Sequence, residues 1–104
     1  MVIDIKNFLD LAKKADLIIF EGKIFQDFYV DSHEDKLVLK SQNQNICLQL
    51  NQIKKITFDE ESLDYTIYLK DSKTIHIALI CLVAIDPDEK YQSCKEIFFE
   101  LRPY

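Results

Sequence analysis

The stretch DYTIYLKDSKTIHIAL, residues 64–79, decides what kind of fold this chain can make. Its two halves alternate apolar and polar residues with period two, and the polar break KDSK separates them. Two half-buried antiparallel strands joined by a turn read this way. Residues facing each other across an antiparallel ladder share a face, so Tyr65, Ile67 and Leu69 must match Leu79, Ile77 and Ile75. Such a match demands an odd loop, most simply Asp71-Ser72-Lys73, because a two-residue loop would oppose Leu69 to Thr74 and split the apolar face. The other face then pairs Tyr68 with His76 and Thr66 with Ala78, which predicts His76 beside a tyrosine, half exposed or under a helix.

The same period runs outward from this hairpin in both directions. LIIFEG, KIFQDFYVD, KLVLKS, NICLQLNQ and KKITFDE precede it, each rich in β-branched or aromatic residues and bounded by polar breaks such as DSHED, SQNQN and DEESLD. TIHIALICLVAI (74–85) loses the alternation and is apolar on both faces, as a strand is that lies centrally or beneath a helix. Together these segments predict an antiparallel meander of about five to seven strands, a bent sheet or a partly closed barrel.

Both ends of the chain carry helical signals. IDIKNFLDLAKKAD places Ile5, Phe8, Leu9, Ala12 and Ala15 at helical spacing behind an Asp4 cap. At the other end, DPDEKYQSCKEIFFELRPY offers Asp86 as N-cap, Pro87 at the first helical position and Glu89 three residues after the cap. Tyr91, Cys94, Ile97, Phe98 and Leu101 would form its apolar stripe, and Pro103 would end it. The expected fold class is therefore α+β: N-terminal helix, meander, C-terminal amphipathic helix, in one domain spanning 1–104.

Composition narrows function mainly by exclusion. The chain has 13 Lys and Arg against 18 Asp and Glu, a formal charge of −5, so phosphate backbones and anionic lipid surfaces repel it. Gly22 is the only glycine, and phosphate-cradling loops require several. The longest apolar run, IALICLVAI at 77–85, is far shorter than the roughly 20 residues of a membrane span, and Asp4 and Asp10 interrupt any signal-peptide core. A cytoplasmic protein that binds neither membrane nor nucleic acid directly is the expectation. Cys47, Cys81 and Cys94 each sit in an apolar segment without a C-x-x-C pair and read as buried, reduced thiols; zinc ligation with His33 or His76 lacks the usual ligand spacing.

From about Gly22 to Leu101 the pattern resembles the pleckstrin-homology-like superfold, in its small bacterial and GRAM-type versions. KLVLKS, NICLQLNQIKKITFDE with its step at Ile53 and Ile56, YTIYLKDSKTIHI and the DP-initiated helix carry the likeness. It implies a bent sheet closed at one end by the C-terminal helix, and an adaptor that binds a peptide or lipid. The extra N-terminal helix and the absence of a basic early loop depart from that pattern. Type III secretion chaperones are similar in size, acidity and flanking helices, but they carry a helix inside the sheet for which FDEESLDYTIY is too short.

Three acidic clusters and a set of aromatics remain as candidate site residues. DSHEDK surrounds His33 with Asp31, Glu34 and Asp35, and reads either as a cation or proton-transfer site or as a solvated hairpin tip whose side chains satisfy local backbone. DEES supplies Asp59, Glu60 and Glu61, which with Asp64 read either as carboxylates for acid–base chemistry or as solvated acids of an inter-strand loop, and DPDE supplies Asp88 and Glu89. Ser-His-Asp chemistry has no nucleophile-elbow sequence behind it. Phe28 and Tyr29 are neighbours in a strand and must point oppositely, so the aromatics, Tyr65 and Tyr68 among them, exceed what one sheet face buries. Aromatics rimmed by carboxylates are how an acidic protein would hold a basic protein partner. The reading is a non-enzymatic binding module without cofactor or metal, an inhibitor of toxin-immunity or anti-defence type acting on a basic or nucleic-acid-handling protein. A homodimer through an edge strand such as DKLVLKS stays open.

Overall fold

The computed structural model describes the backbone of residues 1–85 and 95–103. Helix α1 (Ile5–Lys14) starts at Asp4, whose side chain accepts a hydrogen bond from the Lys6 N–H, and ends with Lys13 and Lys14 in its last turn. Both ends suit the helix macrodipole. Phe8, Leu9, Leu11 and Ala12 form its buried face.

Among the described residues ten strands follow an antiparallel plan: β1 (Val2–Ile3), β2 (Leu17–Phe20), β3 (Lys23–Phe25), β4 (Asp27–Asp31), β5 (Lys36–Lys40), β6 (Asn45–Gln49), β7 (Ile53–Asp59), β8 (Asp64–Leu69), β9 (Thr74–Ile85) and β10 (Lys95–Glu100). The larger sheet runs β1-β7-β8-β9-β2-β3, with β10 also paired to β9; the smaller runs β4-β5-β6. All seven expected segments are strands, KIFQDFYVD being split at Gln26, where the chain crosses between the sheets. The expected central strand, β9, has β8 on one side and β2 on the other.

Four turns set the strand lengths, each with a residue in the left-handed region. Phe20 pairs with Lys23 across Glu21 (φ 48°) and Gly22 (φ 79°), a two-residue hairpin turn with positive φ at both positions. Glu21 tolerates the conformation because it is tied down: its N–H donates to the His76 carbonyl and its carboxylate accepts the His76 N–H. The turns after β4, β7 and β8 use Asp35, Leu63 and Ser72 in the same way.

The β8–β9 ladder keeps the expected faces and loop parity but is offset. Tyr65 pairs with Ile77, Ile67 with Ile75 and Thr66 with His76. The loop is Lys70-Asp71-Ser72, closed by bonds from the Ser72 N–H to Leu69 O and from the Leu69 N–H to Lys73 O. Two offsets preserve the apolar face, and turn chemistry chooses between them: the Asp71 carboxylate accepts the Lys73 N–H while Ser72 takes the left-handed position. His76 therefore stands opposite Thr66, its Nδ1 3.3 Å from the Thr66 hydroxyl, and not opposite Tyr68.

The C-terminal helix is the expectation that fails. Residues 95–100 form β10, paired with Ile80–Ile85; the Asp86 cap, Pro87 and the stripe residues Tyr91 and Cys94 lie outside the described residues. On β9 the β8 ladder stops at Ile77, leaving the backbone beyond without a partner on that side. KEIFFE supplies it, and the Leu101 N–H continues the ladder onto Leu79 O.

One apolar cluster joins the layers: Phe8 and Leu9 from α1, Leu37, Leu39 and Leu48 from the small sheet, Ile18, Ile56, Phe58, Tyr65, Ile67, Ile77 and Leu79 from the large one. Each fully buried side chain of this size contributes about 1.5–3 kcal/mol of transfer free energy. The two sheets remain open at their edges.

Candidate functional site

DSHEDK is the β4–β5 turn. The Asp31 carboxylate accepts the N–H groups of His33 (3.0 Å) and Glu34 (3.1 Å), and Lys36 reaches back to Glu34 at 2.6 Å. That contact raises the Lys36 ammonium above its ordinary pKa. DEES has the same plan: Asp59 accepts from the N–H groups of Glu61 and Ser62, which hold its carboxyl below the usual range, and Ser62 donates to Asp64. Both turns spend an aspartate on their own backbone, which is why the chain reverses there.

The two turns do not meet. Asp35 O accepts the Leu50 N–H just before β7 begins, whereas Asp59 ends β7, six residues and about 20 Å further along the strand. Asp31, Glu34 and Asp35 thus form one acidic tip, and Asp59, Glu60 and Glu61 another at the opposite end of β7. Asp88 and Glu89 lie outside the described residues.

The two candidate tyrosines part company. Tyr65 is fully buried, with Phe8 and Phe58 rings 5.2 and 4.9 Å away, and its hydroxyl donates to Leu101 O at 2.6 Å. Burial pushes its pKa up to about 12. It is a core residue, because the inward face of β8 includes position 65, and it cannot touch a partner. Tyr68, on the outward face, carries the Lys55 ammonium 4.7 Å from its ring centroid.

Alternation along β4 builds a different group. Asp27, Tyr29 and Asp31 share its outer face, while Phe28 and Val30 pack against the core. Tyr29 is 45% exposed, and Lys40 lies 5.0 Å over its ring. Asp27 and Lys40 also line an open cleft of about 710 Å³ at the corner between the sheets, together with Ile24, Phe25, Gln26, Ser41 and Gln42. Ile24 is 65% exposed there. Ile24 and Asp27 are thus presented at this corner, and Tyr29 continues the outer face of β4 away from it toward Asp31 at the far end of the strand. Neither Asp27 nor Ile24 is among the candidates that the sequence singles out; the D-x-Y-x-D alternation of β4 is the signal that marks Asp27.

The cysteines divide likewise. Cys47 is exposed, a correction to the expectation of three buried thiols: in NICLQ the alternation turns Ile46 and Leu48 inward and position 47 outward. Cys81 is partly buried, and burial with the adjacent Asp16 carboxylate raises its thiol pKa. Cys94 lies outside the described residues. Among the described residues no helix is long and apolar enough to cross a membrane. Comparison of the chain with protein-family models, curated proteins and solved structures gives no match.

Proposed function

We propose that this protein is a small, cytosolic, non-enzymatic binding module that docks a basic protein partner on the outer face of β4 and the adjoining corner. The observation that carries the reading is the exposed Tyr29 flanked on its own face by Asp27 and Asp31. A rigid aromatic ring supplies contact area at low entropic cost, and flanking carboxylates select a positively charged counterpart. The net charge of −5 favours encounter with such a partner over the long range. In its most concrete form the module inhibits a nucleic-acid-handling protein, in the manner of a toxin-immunity or anti-defence factor, by occupying its basic surface.

Affinity capture from a native lysate with three baits tests this: the unaltered chain, Tyr29→Ala, and Asp27→Lys. A basic protein should be retained by the first and reduced at least about tenfold on the other two, which corresponds to about 1.4 kcal/mol, and retention should weaken as salt rises. Adding the chain should also compete nucleic acid off the captured protein. Equal retention on all three baits, or recovery of lipid alone, would sink the reading.

A further inference from the structure

Most open sheet edges among the described residues are guarded; β9 beyond Ile80 is also unpaired on its β2 side, where the Asp16 carboxylate takes the Leu82 N–H, and β6 is the whole strand left without any such device. β1 offers two residues, β3 carries Lys23, β4 carries Asp27 and Asp31, and β10 carries Lys95, Glu96 and Glu100. Charged residues and short length are the usual devices that stop edges from pairing. β6 (Asn45–Gln49) has neither. It pairs with β5 on one side only, and its five residues, NICLQ, hold no charge, proline or glycine. KLVLK, the edge expected from the sequence, is β5 and has both sides occupied.

The chemistry of β6 reads the same in both directions about Cys47: amide, aliphatic, thiol, aliphatic, amide. We propose that β6 pairs antiparallel with β6 of a second copy across a two-fold axis at Cys47, joining the two small sheets into one of six strands. The register sets Asn45 opposite the second copy's Gln49, Ile46 opposite its Leu48, and Cys47 opposite its Cys47. Each row continues one already present. Leu37 pairs with Leu48 and Leu39 with Ile46, so the inner face extends as an unbroken aliphatic row, and on the outer face Val38 and Cys47 meet their counterparts. The nearest charges, Lys36 and Lys40, belong to β5, one strand back from the axis, and lie opposite amides, not each other. The same operation on β4 would set Asp27 against the second copy's Asp31 twice over, a repulsive pairing. This surface is distinct from the β4 face, which stays free in the dimer.

Two five-residue edges bury less than the roughly 1,200 Å² of stable interfaces, so the dimer is weak and concentration-dependent. Each copy carries −5, and added salt should therefore tighten it.

Sedimentation under reducing conditions should show the mass rising from 12.3 kDa toward twice that with concentration. Cys47→Lys, at an exposed position where folding is checked by circular dichroism, should hold the chain monomeric. Directly opposed residues lie about 4.5–5.5 Å apart at Cα, within disulfide reach, so mild oxidation of a Cys81→Ser, Cys94→Ser chain should link Cys47 to Cys47. With Cys47 also replaced by serine, Asn45→Cys and Gln49→Cys chains should crosslink when mixed and not separately. A monomer at all concentrations, a dimer indifferent to Cys47→Lys, or crosslinking in another register overturns the proposal.

Discussion

Tyr65 shows how one side chain ties the core to the chain end. Its ring packs between Phe8 and Phe58, and its hydroxyl is satisfied by Leu101 O, 36 residues away in sequence. Tyr65→Phe removes the donor and leaves that carbonyl unpaired, so a loss of about 1–2 kcal/mol is expected in chemical denaturation; Tyr65→Ala should cost about 3–5. The alkaline limb has a fixed sign. The folded-state pKa of about 12 lies above the ordinary value of 10, so the fold favours the neutral phenol. Its stabilisation is complete below pH 10 and fades as pH rises through 12, and ultraviolet titration should show one late tyrosine that is absent from Tyr65→Phe. A titration in which all tyrosines ionise together near 10 would contradict the buried hydroxyl. The thiols offer a second contrast at this scale. On a Cys94→Ser background, alkylation followed by peptide mapping should modify exposed Cys47 at least about tenfold faster than Cys81, whose thiolate is disfavoured by burial and by Asp16. In the sequence, both sit in apolar runs and look alike; only the direction each strand turns its odd positions separates them.

Among the elements, the turns are where local sequence rules are most exposed to measurement. Gly22 adopts φ 79° with nothing near the place a Cβ would occupy, so the cost of Gly22→Ala is backbone strain alone, about 1 kcal/mol. Ser72 adopts φ 73° with a side chain, so Ser72→Gly should gain a few tenths to about 1 kcal/mol by releasing that strain. Opposite shifts in the thermal midpoint would check both; equal signs would mean that the left-handed positions are assigned wrongly. Element type was legible wherever periodicity was strong. The Asp4 cap, the stripe of α1 and seven strand segments all follow from residues close in sequence. What local pattern could not reveal was competition between distant partners. Ile97, Phe98 and Leu101 have helical spacing, yet IFF is also a β-prone run, and the unpaired flank of β9 beyond Ile77 decides for the strand. The β8–β9 register behaves alike: parity follows from the apolar face, while the offset rests on which residue takes the left-handed turn position.

Across the whole molecule, β9 is the element on which the other parts converge. Its first part lies between β8 and β2, with Ile77 and Leu79 fully buried, and its second part has β10 as its only strand partner. The change comes at Asp16. Its N–H donates to Ile80 O and its carboxylate accepts the Leu82 N–H at 2.6 Å, which closes the β2 flank one step beyond the last ladder pair. The acidic clusters divide in a similar way, the β4–β5 and β7–β8 tips lying at opposite ends of β7, so charge alone does not mark a binding face. The candidate face is legible only once β4 is known to be an edge, because D-x-Y-x-D in a central strand would be half covered. Opening free energies should follow the same division of β9. Amide exchange at Ile77 and Leu79 should report global unfolding, whereas Val83–Ile85, held by β10 alone, should exchange through a smaller opening, by about 2 kcal/mol or more. Asp16→Ala should widen that gap by freeing the Leu82 N–H without touching the buried cluster. Uniform protection from Ile75 to Ile85 would show instead that β9 and β10 open only with the whole fold, and that the second ladder is as much part of the core as the first.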